Sequence, residues 1–365
     1  MQTTKIILAA AISLLVASHA YAISESTQDQ TGNDNDAKVM QQGDSGSISQ
    51  TQNGDGNVVY TDQNGLGLTA SSNQTGTGNI SATEQTGYYG QVEISQDGDS
   101  NLATVLQSSL EIGQSASITQ VGTMNIAYIE QLETDGNRAS IDQNGQGNIA
   151  EVFQEGVLTK DYTGTQNGDG NRADIMQSGS ASAVTDQTGT DNTITLTQDG
   201  FPYGASASIS QNGTANEATV DQPSAGRYST GTIDLVQIGT ENLADVRVVS
   251  GEGSFAFTQD GTGNELTANQ SGRDTSVDGR SKGDYNRVNI DQDFDGSSLV
   301  IDQNGTANEI DVSQSGYYSS GTIEQTGTEN YASLIQPGGL DAVTQYDAVI
   351  MQNGTANSAF VTQGP

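Results

Sequence analysis

Cysteine is absent from this 365-residue chain, and its single histidine is His19. A chain without thiols cannot staple its loops with disulfides. Without Cys and His side chains in the folded part it cannot build a thiol nucleophile, a Ser-His-Asp triad or a nitrogen/sulfur metal centre. Carboxylate chemistry is the catalytic option left, so the expectation is a non-enzyme with no cofactor. Basic residues are nearly as scarce, with 11 Lys and Arg against 45 Asp and Glu. So acidic a surface repels nucleic acid and anionic membranes, and neither is expected as a partner. The four prolines, Pro202, Pro223, Pro337 and Pro365, all fall outside the predicted strands.

Long apolar runs are also missing, save one. Lys5 precedes an apolar stretch from Ile6 to Val16, followed by the small-residue pattern Ala20-Tyr21-Ala22. This predicts a secretory signal peptide over residues 1–22, too short for a bilayer span, with residues 23–365 as one elongated exported domain. Removing Lys5 and no acid leaves 10 basic against 45 acidic residues, a net charge of −35.

What the chain does contain is repetition. A frame of Gln-x-Gly-x-x-Asn followed by a second Gln recurs fifteen times at steps of mostly 21 to 24 residues. Its amide residues in the first half are Gln30, Asn35 and Gln41; Gln52, Asn57 and Gln63; Gln74, Asn79 and Gln85; Gln96, Asn101 and Gln107. Gln120, Asn125 and Gln131 follow, then Gln143, Asn148 and Gln154. Near the end stand Gln303, Asn308 and Gln314; Gln325, Asn330 and Gln336; Gln352, Asn357 and Gln363. Intervening frames begin at Gln166, Gln187, Gln211, Gln237, Gln259 and Ser281. A sustained period near 22 indicates units that stack on one another.

Within each unit apolar and polar residues alternate, as in strands. Ala139 and Ile141 precede Gln143, and Ala150 and Val152 follow Asn148, all with one parity that includes the amides. The opposite parity carries charge, as at Asp62, Glu84, Glu130 and Asp142. The Gly and Asn of each frame bracket a predicted chain reversal. The expected fold is all-β, a parallel two-sheet β-solenoid of about fifteen rungs, with the inward amides stacked in hydrogen-bonded ladders. A single rung buries too little to stand alone, so stacking supplies its stability. The frames reach from Gln30 to Gln363, which predicts open terminal rungs and head-to-tail, non-closing association with further copies.

The frame Gln96-Asp97-Gly98-Asp99-Ser100-Asn101-Leu102-Ala103-Thr104-Val105-Leu106-Gln107 resembles the curlin repeat. The resemblance covers nearly all of residues 23–365. It implies a secreted bacterial subunit of curli, the functional amyloid fibres of biofilm matrices, with left-handed winding and a role in surface adhesion. It also implies two partners besides self, a nucleating minor subunit and an outer-membrane secretion pore. Familiar curlins have about five repeats and a Gly/Asn-rich segment after the signal peptide; here Ile23–Asp29 leads almost directly into the first frame. Basic residues cluster at Arg273, Arg280, Lys282 and Arg287, where Ser281 replaces a frame Gln. One basic unit among fifteen fits a major subunit better than a nucleator. The alternative outside this class is a monomeric surface solenoid that binds carbohydrate or cations. Tyr88-Tyr89 and Tyr317-Tyr318 fall in the second arches of their units.

Overall fold

In a computed structural model the chain is an all-β solenoid of two parallel sheets, each fifteen strands wide. The structure describes residues 24–109, 113–134, 136–156, 158–201, 204–223, 231–337 and 345–364. The predicted signal peptide, Pro202 and Pro365 lie outside the described residues. The first sheet runs from β1 (Glu25–Thr31) and β3 (Ser47–Asp55) to β29 (Asp347–Thr355), the second from β2 (Asp36–Gln42) and β4 (Val58–Leu66) to β30 (Ser358–Thr362). Odd-numbered strands make the first sheet and even-numbered strands the second, in unbroken chain order. Rung 1 is therefore β1 with β2, and rung 15 is β29 with β30. With rungs about 4.8 Å apart the rod is roughly 70 Å long.

Register is strict, because slipping by one residue would turn every side chain to the wrong face. Gln120, Gln143 and Gln166 align in the first sheet, and Gln131, Gln154 and Gln177 in the second. The inward parity read from sequence holds. Ile118, Ile129, Ile141, Val152 and Ile175 are all buried, and one core cluster runs from Ile48 to Ile350 between the sheets. Where the inner space varies, neighbours compensate in volume. Tyr162 is fully buried and fills the place that a Cβ on Gly164 would take; Phe257 does the same beside Gly279. Near the start the core is polar instead, with Gln50 donating to Thr61 at 2.9 Å and Ser72 meeting Ser81 at 2.6 Å across the two sheets.

The first arch is tighter than the expected Gly-to-Asn bracket. From rung 2 onward each frame Gly lies inside its strand, so that in rung 2 only Gly56 and Asn57 separate β3 from β4. The left-handed residue is the one before Asn, with φ of 65° at Gly56, 59° at Ser100, 55° at Met124 and 53° at Ala215. The frame Gly has a second reason to lack a Cβ. At Gly145 one would sit 2.0 Å from the carbonyl oxygen of Gly168 in the next rung. Pro337 also departs from expectation. It is the last residue of β28 (Tyr331–Pro337), a position where a missing N–H costs the ladder least.

Two glycines at the end of β11 (Arg138–Gln146) and just beyond it both have positive φ, but only Gly145 also faces the backbone of the next rung. Gly145→Ala forces neighbouring backbone apart and is expected to lose about 3 kcal/mol or more. Gly147 has φ 65° but open space around a Cβ. Gly147→Ala is expected to lose only about 1 kcal/mol. Chemical denaturation of the two variants checks the order, and equal losses would contradict the close-approach argument.

Candidate functional site

The chain concentrates its buried polarity in three columns of side-chain amides that run along the rod. In the first sheet Gln30 donates to Gln52, Gln52 to Gln74 and Gln74 to Gln96 through Nε2–Oε1 bonds of 2.6 to 3.1 Å. Gln96, Gln120, Gln143 and Gln166 continue the column at 2.8 Å each. The second sheet repeats the pattern from Gln41 through Gln63, Gln85, Gln107, Gln131 and Gln154 to Gln222. In most rungs the second N–H of the amide closes on a backbone carbonyl. Gln143 reaches Ile126 at 3.0 Å and Gln154 reaches Arg138 at 2.9 Å. These buried side chains thus meet the demand that polar groups removed from water find partners.

The asparagines form the third column, and it points the other way. Asn57 donates from its backbone N and from Nδ2 to Asn35 Oδ1, at 3.0 and 3.2 Å. The same pair of bonds joins Asn79 to Asn57, Asn101 to Asn79, Asn125 to Asn101 and Asn148 to Asn125. It continues through Asn308 and Asn330 to Asn357. In rungs 1 to 14 Nδ2 also donates forward to a frame-glycine carbonyl, as from Asn148 to Gly168 at 2.6 Å. Among the described residues the Asn column is unbroken over fifteen rungs, whereas both Gln columns are interrupted.

The interruptions lie close together. In rung 10 Val248, fully buried, stands in register with Gln270 where a glutamine belongs. Gln270 Oε1 is consequently buried without a hydrogen-bond partner, and Gln222 directs its amide to Ser206 O. In rung 12 Ser281 faces Gln259, whose amide turns to the carbonyls of Leu243 and Asn264. Ser281 Oγ restarts the column by donating to Gln303 Oε1 at 2.9 Å, and Gln303, Gln325 and Gln352 follow. In the second sheet Gln292, Gln314, Gln336 and Gln363 restart beyond Gln270. Ser281 was legible as a frame departure. Val248 was not singled out, although the missing Gln eleven residues after Gln237 was the available signal.

Charge is arranged by the same stacking. Asp62 lies in register with Glu84 as like on like, but Asp221 is followed by Arg247 at 3.1 Å and Asp260 by Lys282 at 3.5 Å. Two further acidic neighbours, Glu151 with Asp174 and Asp302 with Glu324, each have an arginine beside them. Arg172 lies 2.8 Å from Asp174, and Arg280 lies 2.7 Å from Asp302. The basic cluster around Arg280 is therefore woven into cross-rung pairs. Such exposed pairs add little stability, but they relieve repulsion between rungs.

Among the charges of the described residues Lys160 is the exception. It is fully buried in rung 7, with Nζ donating to the carbonyls of Gly156 at 2.9 Å and Leu158 at 2.5 Å. Desolvation lowers its pKa from 10.5 to about 8, against an opposing pull from Glu155.

A family model described as the Curlin associated repeat matches residues 115–145, 168–200 and 305–338. No curated protein matches the chain.

Two predictions follow from this geometry. Val248→Gln supplies a donor to Gln270 and an acceptor to Gln222, and is expected to raise stability by about 1–2 kcal/mol; Gln143→Ala orphans Gln166 Oε1 and is expected to lower it by about 2 kcal/mol or more. Urea melts of both variants against the wild type check the signs. For Lys160 the folded form gives up its proton near pH 8, while the unfolded form keeps it to 10.5. The cost of the buried charge is therefore complete below pH 8 and fades as pH rises toward 10.5. Lys160→Met should be more stable than wild type at pH 7, with an advantage that shrinks by pH 10, as read from paired thermal melts.

Proposed function

We propose that this curlin-repeat protein is a structural subunit of an extracellular, curli-like amyloid fibre that grows by head-to-tail stacking of solenoid ends. The observation that carries the reading is the opposed polarity of the ladders. Wherever the columns are continuous, Gln donates to the Gln of the later rung and Asn donates to the Asn of the earlier one. The rung 1 end therefore offers Gln30 and Gln41 Oε1 as acceptors and the Asn35 backbone N–H as donor. The rung 15 end offers amide donors on Gln352 and Gln363 and the Asn357 Oδ1 acceptor. These two sets are complementary, and an added copy would continue all three columns in phase.

The outermost strands support the same reading. Among the described residues β1, β2, β29 and β30 pair on one side only, and β1 is exposed along its whole length. Unpaired parallel strand edges template further strands. Stacking two ends is heterologous and does not close, so the product is a filament. Residues 1–22, read as a signal peptide, would export the chain. A nucleating subunit and an outer-membrane pore are the partners that the family resemblance supplies, and biofilm cohesion and surface adhesion are the roles.

The acidic surface sets the conditions for growth. A net charge near −35 over fifteen rungs is about −2.3 per rung, and stacked carboxylates ~4.8 Å apart repel by roughly 0.9 kcal/mol in water. Two approaching ends bring their whole fields together, and salt shortens the reach of those fields from about 30 Å at 0.01 M to about 8 Å at 0.15 M.

The purified protein is expected to form unbranched fibres with an axial reflection near ~4.8 Å. The lag before they appear should shorten between those two salt levels at pH 7. A rod that stays monodisperse for days at high concentration would overturn the fibre reading in favour of a monomeric surface solenoid. A lag that does not shorten would remove the acidic surface as the barrier to growth.

A further inference from the structure

The two outer faces of the rod differ, and one of them carries an apolar strip that the ladders do not explain. In the second sheet the outward residue after each frame Asn aligns as Val58, Ile80, Leu102, Ile126 and Ile149, one per rung from rung 2 to rung 6. Ile80 is 43% exposed, and Leu102 and Ile126 are each 37% exposed. On the same surface Tyr128 of the neighbouring outward column packs diagonally against Phe153 of the column beyond it, one rung later, with ring centroids 5.4 Å apart. Over the same rungs the first sheet presents Ser47, Ser49, Ser71, Ser117 and Ser140 instead. Later in the second sheet the aliphatic column turns ionic, with Glu265 and Arg287 paired at 3.7 Å. Five consecutive aliphatics in one column of so acidic a chain form a contiguous patch of the kind that marks a contact surface.

We propose that this strip is a lateral interface on which a second copy of the chain docks face to face, with the two rods antiparallel and the two-fold axis passing through rung 4. The charges at the ends of the strip choose the occupant and the direction. The aliphatic column begins after Asp36 in rung 1 and ends before Arg172 in rung 7. The adjacent column begins at Lys38 in rung 1 and reaches Asp174 in rung 7. A two-fold axis along the strands at rung 4 exchanges rungs 1 and 7 and keeps each column on itself. Asp36 of one copy then meets Arg172 of the other, and Lys38 meets Asp174. Leu102 faces its own equivalent, and Ile80 faces Ile126. The same operation brings Glu84 opposite Glu130, a like pair at the border of the strip that weakens the contact at low salt. Parallel rods that keep the aliphatic column on itself would set Asp36 against Asp36 and Arg172 against Arg172, and those that pair Asp36 with Lys38 would draw the aliphatic column off itself onto the column of Tyr60, Thr104 and Glu151.

Size decides how the contact is used. Five residues of strand by seven rungs span about 17 by 34 Å, or roughly 600 Å² per partner. The total near 1,200 Å² is at the lower limit of stable interfaces, so two single rods pair weakly. Rods already joined end to end repeat the strip once per subunit, and their pairing gains by multivalency. The repeated form rests on the fibre reading above; pairing of single rods does not.

Because the chain has no native cysteine, single replacements report the register without background. Full-length Leu102→Cys, Ile80→Cys, Ile126→Cys and Val300→Cys, the last on the exposed outer face of the first sheet, are treated with a short bismaleimide while still soluble. Leu102→Cys should give at least tenfold more covalent dimer than Val300→Cys. An equimolar mixture of Ile80→Cys and Ile126→Cys should crosslink more than either alone. Adding Ile126→Asp to Leu102→Cys should abolish the dimer. Should that variant lose its β-sheet circular dichroism, Ile126→Thr takes its place. Equal crosslinking at Leu102→Cys and Val300→Cys overturns the interface, and efficient self-crosslinking of Ile80→Cys overturns the antiparallel register. Dimers without fibres at any concentration would sink end-to-end growth while leaving the lateral contact standing.

Discussion

A turn of 22 residues wound flat cannot satisfy its own backbone. Its N–H and C=O groups point along the rod, and each finds a partner only in the turn before or after, as when Ile149 N meets Asn171 O at 2.8 Å. Buried peptide groups left alone are costly, so no rung of this molecule is stable except as a neighbour of another. The side chains obey the same axis. An inward glutamine would be a poor core residue in an ordinary domain. Here its amide has an identical amide above and below, and that repetition makes its burial tolerable.

Once hydrogen bonding is confined to one direction, rungs must superimpose, and superposition dictates the rest. The frame glycine is there because the next rung's carbonyl occupies the space of a side chain. Volume is conserved within short stretches of core, so Tyr162 and Phe257 sit beside glycines. Surface charge is read rung against rung as well, which is why Arg172 stands where Glu151 and Asp174 would otherwise face each other unrelieved. The polar pairs around Gln50 and Ser72 show that the core can be thin and hydrophilic if its groups find one another across the sheets.

Much of this was legible before any coordinates, because parity and period are one-dimensional. Gln143, Asn148 and Gln154 share a parity with Ile141 and Val152, and nothing but a two-sheet stack keeps that phase over so many turns. Other features depend on what lies one rung away, which no single repeat displays. That Met124 and Ala215 would take a left-handed conformation was hidden, since the sequence marks such places most clearly when they are glycine. Reading the outward parity as charged passed over the column from Val58 to Ile149, whose members are adjacent only after the chain is wound. The consequence of Val248 was hidden for the same reason. A valine among strand residues looks ordinary until the orphaned oxygen of Gln270 is found beneath it.

The opposed ladders also make the rod a material whose cut faces are nearly all alike. Severed between almost any two rungs, it would show on one fragment the atoms of the rung 1 end and on the other those of the rung 15 end. Each fracture therefore regenerates both kinds of tip, and mechanical shear would multiply tips without consuming any. Rungs 10 to 12 are where this symmetry fails. A cut beside Val248 or Ser281 leaves a face lacking one amide.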